Sequence, residues 1–210
     1  MKVVPSIIPY EREQTEKEVS LVCGFADRIQ VDVCDGNFAG PTTWPWNGEH
    51  GDLVLPEYKY FEIHMMANFP EEKIKDLIGF KPKMIIAQIE AEGNFQKFIN
   101  VCKQNQIEIG ISIMPKTDIS VLESFVPQAD YLQCMGSNQI GHHGVGLENS
   151  AVEKIKILKA IYPESVIGID IGVNLENKDI LQKAGADVLV VGSAILNAEN
   201  PAEVYEQLKK

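Results

Sequence analysis

The sequence predicts an α/β protein whose eight strands close into a barrel. Two observations indicate this fold class: eight short apolar segments recur along the 210 residues, and segments with helical periodicity separate nearly all of them. Strands separated by helices pair in parallel through right-handed crossovers. Eight such units form a (β/α)8, or TIM, barrel, which usually needs at least about 200 residues. We therefore expect one (β/α)8 domain over residues 1–210.

The strand predictions rest on short alternating or continuous apolar runs. The second run alternates, so Gln30, Asp32 and Cys34 share one face. The eight predicted strands are residues 3–8, 28–34, 60–66, 83–89, 107–114, 129–135, 166–171 and 188–191.

The helix predictions rest on apolar residues at helical spacing. Phe95, Phe98, Ile99 and Cys102 form one such stripe. Gly185 predicts the end of one helix, and Pro201 predicts the first turn of the last. The predicted helices are residues 11–22, 71–78, 95–102, 118–126, 151–162, 175–184 and 201–208.

Residues 36–59 contain no convincing helix and hold both tryptophans. A loop of that length in a barrel is usually functional or forms a lid, and a degenerate second helix is an equal alternative. An open doubly wound sheet is the competing fold. Its dinucleotide-binding versions are disfavoured because no Gly-x-Gly-x-x-Gly motif follows the first strand.

Composition excludes several function classes. The net charge of −11 would repel a nucleic-acid backbone, although backbone amides can still bind a small phosphate locally. No apolar run approaches the ~20 residues of a membrane helix, and the first residues lack a signal-peptide pattern. We therefore expect a cytoplasmic protein with no nucleic-acid or membrane partner. The four cysteines form no Cys-x-x-Cys pair and are expected to be free structural thiols.

Candidate functional residues are the polar residues at the C-terminal ends of the predicted strands, where barrel active sites lie. Each stands in or next to a mainly apolar run, where an unpaired charge is costly and needs a partner, a metal or a ligand. These residues are Ser6, Gln30, Asp32, Asp35, His64, Gln88, Glu90 and Asp170.

Asp32 and Asp170 form the most informative pair. Their strands are the second and seventh in a ring of eight, so the carboxylates can face each other across the barrel mouth. Epimerisation beside a carbonyl requires two acid/base groups on opposite faces of a substrate. The same pair would also suit hydrolysis, metal binding or structural hydrogen bonding. His64 is either a core histidine or a metal ligand or electrophile near the pair.

Two glycine turns predict a phosphate site. Gly172 follows the seventh strand, and Gly192 and Ser193 follow the eighth, where barrels commonly bind phosphate through backbone amides. The glycine-rich loop at residues 141–146 is typical of a segment that closes over a ligand. His142 and His143 within it are equally well explained as surface residues.

These residues lie in segments that resemble the ribulose-phosphate 3-epimerase family over essentially the whole chain. The resemblance implies a (β/α)8 barrel of the ribulose-phosphate-binding type. It also implies epimerisation of a ketose phosphate at the carbon beside its ketone, usually with a divalent metal (zinc, iron, manganese or cobalt). The similar segments are residues 4–8, 31–36, 62–66, 117–123, 170–174 and 184–195.

The resemblance also implies roles for individual residues. Asp32 and Asp170 would be the acid/base pair and metal ligands, with His64 as a third ligand that also contacts substrate. Ser6 would lie near the substrate. The residues that would hold the phosphate are Gly172, Gly192 and Ser193.

The sequence departs from the family pattern at several positions. Gln30 and Gln88 stand where the family has histidines, and a neutral amide is a poorer ligand for a transition metal than imidazole. Pro9 replaces a serine, and residues 170–172 read Asp-Ile-Gly rather than Asp-Gly-Gly. The loop at residues 138–146 also differs, which leaves its phosphate donors unassigned.

The leading hypothesis is a divergent ketose-phosphate 3-epimerase of the ribulose 5-phosphate/xylulose 5-phosphate type, acting through an enediolate. Its partner would be a small phosphorylated ketose, and a homo-oligomer is left open. One alternative is a non-catalytic phosphometabolite-binding barrel, motivated by the altered positions Gln30, Gln88 and Pro9. Another is a different sugar-phosphate isomerase or lyase on the same fold. A Schiff-base aldolase is disfavoured because Lys83 lies at the wrong strand end and Lys116 lies in a loop.

Overall fold

A computed structural model of the chain describes residues 1–48, 60–142 and 144–210. Eight parallel strands form a closed barrel in chain order, with the first strand paired to the last. This confirms the predicted (β/α)8 fold. The strands are β1 (Lys2–Ile7), β2 (Arg28–Cys34), β3 (Tyr60–Met66), β4 (Met84–Gln88), β5 (Glu108–Ile113), β6 (Tyr131–Met135), β7 (Ile167–Asp170) and β8 (Val188–Val191).

Helices of very different lengths connect the strands. Within residues 1–48, 60–142 and 144–210, two helices are single turns, and the longest helix has 13 residues. The helices are α1 (Arg12–Cys23), α2 (Pro70–Lys73), α3 (Phe95–Gln104), α4 (Asn149–Ile161), α5 (Lys178–Ala184), α6 (Ser193–Leu196) and α7 (Pro201–Lys209). Among the described residues, none of the helices combines the length and hydrophobicity that crossing a membrane requires.

Two predicted helices are wrong as single elements. Residues 71–78 form the C-terminal part of α2 and then two 3-10 turns, Ile74–Asp76 and Ile78–Phe80. Residues 118–126 form one 3-10 turn, Ile119–Leu122, and the first residue of a second 3-10 turn, Val126–Gln128. In the second case Pro127 has no N–H to continue a helix and disfavours helical geometry at the residue before it.

The described part of the long loop, residues 36–48, contains no helix. Trp44 is buried and packs edge-on against Phe80, with ring centroids 4.5 Å apart, so it fills the outer core where a second helix would pack. Phe38 and Ala39 instead pack over the barrel mouth. Residues 49–59 lie outside the described residues, so the choice between lid and degenerate helix for them stays a prediction.

The barrel interior is layered along its axis. An apolar layer fills its N-terminal half, separate from the larger core between barrel and helices. Gly168 makes room for this layer, because a Cβ there would lie 1.7 Å from the Tyr131 hydroxyl. The buried residues of the layer are Val4, Met84, Ile86, Tyr131, Val188 and Val190.

The N-terminal end of the barrel contains a buried ion pair. The Arg28 guanidinium lies 2.6 Å from Glu62 Oε2, and it also stacks over the rings of Tyr60 and Tyr131. The Glu62 side chain is fully buried, and burial raises its pKa to about 7 despite the opposing charge of Arg28. Tyr60 hydrogen-bonds Glu108 at the same end.

All four cysteines are free thiols, as predicted. Cys34, Cys102 and Cys134 are buried, whereas Cys23 is exposed. Burial raises the pKa of Cys102 and of Cys134 to about 12, so these thiols stay protonated and pack as small apolar groups.

Candidate active site

Three polar side chains converge at the mouth end of the barrel interior. Asp32 on β2 is in register with His64 on β3, and Asp170 is the last residue of β7. His64 Nδ1 lies 3.2 Å from Asp32 Oδ1 and 3.5 Å from Asp170 Oδ2. The structure therefore brings together the two aspartates and the histidine that the sequence singled out.

Three glutamine carboxamides surround this triad. Gln30 Nε2 donates to Asp32 Oδ1 at 2.7 Å and to Asp170 Oδ2 at 3.4 Å. Gln133 Nε2 also reaches Asp170 Oδ2 at 3.4 Å, and Gln88 Nε2 lies 3.0 Å from His64 Nε2. All three glutamines are fully buried. Gln133 is not among the residues predicted from the sequence, although the period of two places it on the same face as Met135 at the mouth.

Burial and mutual charge perturb the groups of the triad. Burial raises the pKa of Asp170, and the nearby charge of Asp32 raises it further, while His64 opposes the shift. Burial alone would lower the pKa of His64, but its hydrogen bonds to Asp170 and Asp32 outweigh burial and raise the pKa to about 9. The two carboxylates thus form a negative site that attracts positive charge.

A cavity of about 630 Å³ opens above the triad. His64 lies beneath its floor, fully buried and in contact with both aspartates. The predicted site residues that line the cavity are Ser6, Asp32, Asp170, Gly172, Gly192 and Ser193.

The two predicted phosphate turns form one side of this cavity. Gly192 immediately precedes the short helix α6, which starts at Ser193. Gly172 has a positive φ of 75°, and a Cβ there would lie 2.3 Å from the Leu147 backbone nitrogen. Glycine is therefore needed where the loops after β6 and β7 meet. The Asn177 side chain donates to the Gly172 carbonyl at 2.7 Å and holds this turn in place.

Loops after β1, β2 and β6 meet on the other side of the mouth. The Tyr10 hydroxyl donates to the Gly141 carbonyl at 3.0 Å. Gly40 and Gly141 approach so closely that a Cβ on Gly40 would lie 2.7 Å from the Gly141 oxygen. His142, in this loop, lines the cavity, whereas His143 lies outside the described residues.

Two other predicted mouth residues have structural roles. The Asp35 carboxylate accepts hydrogen bonds from the backbone of Asn37, Phe38 and Asn68, which fixes the start of the long loop. Glu90 Oε1 accepts hydrogen bonds from the Met114 amide and the Thr117 hydroxyl.

The triad fits a divalent cation by its donor chemistry. One ligand atom from each of Asp32, His64 and Asp170 can be chosen so that all lie within 4.8 Å of one another. Gln30 adds a fully buried carboxamide whose Oε1 has no hydrogen-bond partner. Two carboxylates, one imidazole and an available amide oxygen form a donor set suited to a divalent metal.

Comparison with known sequences gives consistent matches. A sequence model of the ribulose-phosphate 3 epimerase family matches residues 2–196. The ribulose-phosphate 3-epimerase of Schizosaccharomyces pombe is 27% identical over 214 residues, covering 99% of this chain and 92% of that enzyme. The Bacillus subtilis ribulose-phosphate 3-epimerase is 26% identical and covers 100% of this chain and 98% of its own length.

Comparison with solved structures supports the fold alone, because the sequence identities are low. A 3-hexulose-6-phosphate synthase superposes with a TM-score of 0.70 at 16% identity, covering 100% of this chain and 98% of that one. A tryptophan synthase from Mycobacterium tuberculosis superposes with a TM-score of 0.69 at 15% identity. The match covers 99% of this chain and 90% of that one.

Proposed function

Because the chain belongs to the ribulose-phosphate 3-epimerase family, we propose that it interconverts ribulose 5-phosphate and xylulose 5-phosphate by inverting carbon 3. The observation that carries this proposal is the placement of Asp32 and Asp170 in one cavity, on strands separated by three steps around the barrel. Inversion of a carbon beside a ketone needs one base on each face of the substrate, and these two carboxylates supply that pair.

The proposed reaction is a proton transfer through an enediolate. One aspartate takes the C3 proton, and the electron pair of the C–H bond moves into a C2–C3 double bond while negative charge develops on the C2 oxygen. The other aspartate, which carries a proton at the start of the reaction, gives it to the opposite face of C3 and is left ionised, and the electrons of the enediolate return to restore the ketone with inverted configuration. His64 lies between the two carboxylates and offsets their negative charge throughout the reaction.

A divalent cation bound here would supply a Lewis acid that stabilises the negative charge that develops on the substrate. We propose that Asp32, His64 and Asp170 hold this cation, with Gln30 as the fourth residue of the site. Zinc, iron, manganese and cobalt are the candidate ions.

The phosphate end of the substrate would bind at the turns after β7 and β8. Backbone amides near Gly172, Gly192 and Ser193 would hold the phosphate group, and Ser6 would contact the sugar. Local binding of this kind is needed because the chain carries a net charge of −11.

The experiment is deuterium exchange at C3. Purified enzyme in deuterated water, with and without divalent metal, should exchange the C3 proton of both epimers and interconvert them. Asp32→Asn and Asp170→Asn should each slow epimerisation by about 10²–10⁴-fold, and each should abolish exchange from a different epimer. Asp179→Asn, at an exposed position on α5, is the matched control and should behave as wild type.

Absence of exchange from ribulose 5-phosphate, xylulose 5-phosphate and related ketose phosphates under every metal condition would contradict the proposal. Thermal stabilisation of the protein by these compounds without turnover would then favour a non-catalytic binding barrel.

A further inference from the structure

The loop after β6 crosses the mouth of the barrel. In the closed ring of eight strands β6 lies opposite β2. Gly141 nevertheless reaches the loop after β2, since a Cβ on Gly141 would lie 2.8 Å from the Gly40 backbone nitrogen. Later in the same loop, Leu147 lies against Gly172 at the end of β7. The described residues between these two contacts all line the cavity.

The loop is held in place at its crossing point and at its base. The Tyr10 hydroxyl donates to the Gly141 carbonyl at 3.0 Å. At the base, the Glu148 carboxylate accepts from the Ser137 hydroxyl and the Asn138 amide. A group carried by a backbone that is already in position loses less conformational freedom on binding. This loop can therefore present a side chain to the cavity at small entropic cost.

His142 is the first residue after Gly141, and its side chain lines the cavity. It is the only histidine, lysine or arginine among the described lining residues, which also include Asp32 and Asp170. An imidazole N–H donates hydrogen bonds, and imidazole is the side-chain group that gains a positive charge near neutral pH. His142 is exposed, and within residues 1–48, 60–142 and 144–210 no hydrogen bond or ion pair occupies its ring. Its N–H groups are therefore free to bind a ligand.

A phosphorylated substrate needs a donor of this kind. A phosphate ester carries about −1.5 to −2 charges at pH 7, which the two aspartates of the cavity repel. The other side-chain donors in the described lining are neutral serines and asparagines, and Asn177 already donates to the Gly172 carbonyl. Hydrogen bonds between charged groups are roughly twice as strong as neutral ones. His142 is therefore the lining side chain best suited to an anion.

We propose that His142 is a substrate-binding residue whose imidazole donates a hydrogen bond to the phosphate group of the ligand. The chain leads from His142 to the turn at Gly172, where the proposed phosphate site lies. The residue thereby gives the loop after β6 a phosphate donor, which the sequence of residues 138–146 left unassigned. This inference rests on the proposed function for the identity of the sugar phosphate, but not for the binding of phosphate itself.

The test titrates inorganic phosphate into the whole protein by isothermal titration calorimetry, after metal has been removed so that no bound cation can hold the anion. His142→Ala removes the donor and should weaken phosphate binding about 10-fold or more. His142→Arg restores a cationic donor and should return the affinity to within about threefold of wild type. Circular dichroism and thermal unfolding establish that each variant is folded.

Two controls separate a direct contact from a general effect of charge. Gln139→Ala changes the same loop where it lines a neighbouring cavity of about 310 Å³, and it should leave phosphate affinity unchanged. The double variant His142→Ala/Glu206→Gln makes the net charge less negative at an exposed position on α7. It should bind phosphate as weakly as His142→Ala. Recovery of wild-type affinity in the double variant would overturn the proposal.

A second readout separates binding from catalysis. On the proposed function, His142→Ala should raise KM for ribulose 5-phosphate about 10-fold or more and leave kcat within about threefold, because the phosphate contact is the same in substrate and transition state. A loss of kcat at unchanged KM would contradict a binding role. Wild-type phosphate affinity in His142→Ala, or no phosphate binding by the wild type, would overturn the proposal. Because calorimetry uses neither sugar nor metal, it can succeed or fail independently of the exchange assay.

Discussion

Inside the barrel, buried charge is compensated at both ends by close partners. At the mouth, His64 and the donating amides of Gln30 and Gln133 offset the carboxylates of Asp32 and Asp170. At the opposite end, Arg28 compensates Glu62. An uncompensated carboxylate in either place would carry a desolvation penalty of several kcal/mol.

The ion pair at the N-terminal end leads to a stability prediction. Arg28→Leu leaves the fully buried Glu62 without its positive partner and should lower the free energy of unfolding by about 3 kcal/mol. Urea denaturation at pH 8 measures the change. Arg12→Leu, which removes an exposed pair with Glu16, is the control and should cost at most about 1 kcal/mol. Equal losses in the two variants would contradict a special role for the buried pair.

The sequence predicts the triad and two of the three glutamines around it, Gln30 and Gln88, but not Gln133. Asp32, His64 and Asp170 stand out because charged or titratable groups interrupt apolar strands. Gln133 carries no charge, and its contact with Asp170 depends on how β6 and β7 are paired, with Met135 opposite Asp170. That register is a tertiary property, which a single sequence does not specify.

Strands were predicted more accurately than helices. The predicted boundaries of β2, β3 and β8 agree with the structure. The helix predicted at 175–184 begins only at Lys178, because Asn174 and Asn177 form a hydrogen-bonded turn before it. The single-turn helix α6 was missed because four residues are too short to show a period.

The loop after β6 is closed at its base by one carboxylate. Glu148 accepts hydrogen bonds from the Asn138 amide at 2.8 Å and the Ser137 hydroxyl at 2.7 Å, while its own amide donates to the Gly136 carbonyl. These bonds lower the pKa of Glu148, led by the Asn138 backbone amide. The loop that lines the cavity is therefore held by the ionised form.

The lowered pKa fixes the direction of a pH effect. The ionised Glu148 carboxylate stabilises the loop fully above the ordinary glutamate pKa of about 4.3. This stabilisation is lost as pH falls through the lowered pKa of Glu148. The Asn138 amide should therefore become less protected from hydrogen exchange below that value, measured by nuclear magnetic resonance. Glu148→Gln should show weaker protection already at pH 7 and no further change with acid. Identical protection in the variant and wild type would contradict this anchor.

At the scale of the whole molecule, charge opposes the arrival of an anionic substrate. The net charge is −11, and the lining of the cavity, within the described residues, includes two aspartates but no lysine or arginine. Salt screens this repulsion over distances beyond about 10 Å at 0.1 M. On the proposed function, kcat/KM for ribulose 5-phosphate should rise about twofold or more between 20 and 200 mM sodium chloride.

Steady-state kinetics in sodium and potassium chloride would measure this effect, since a screening effect is the same for both salts. Thermal unfolding at each concentration would exclude a change in the folded fraction. A fall in kcat/KM with salt would show instead that an attractive field around the cavity outweighs the net charge.

Closure of the barrel also constrains how the protein is made. Lys2 on β1 pairs with Val188 on β8, so β1 leaves the ribosome long before one of the two strands that it pairs with. At typical translation speeds this delay is on the order of ten seconds or longer. During that time the incomplete sheet has two open edges, with backbone groups available to pair with other chains. Nascent chains therefore depend on low local concentration or chaperone protection until β8 completes the ring.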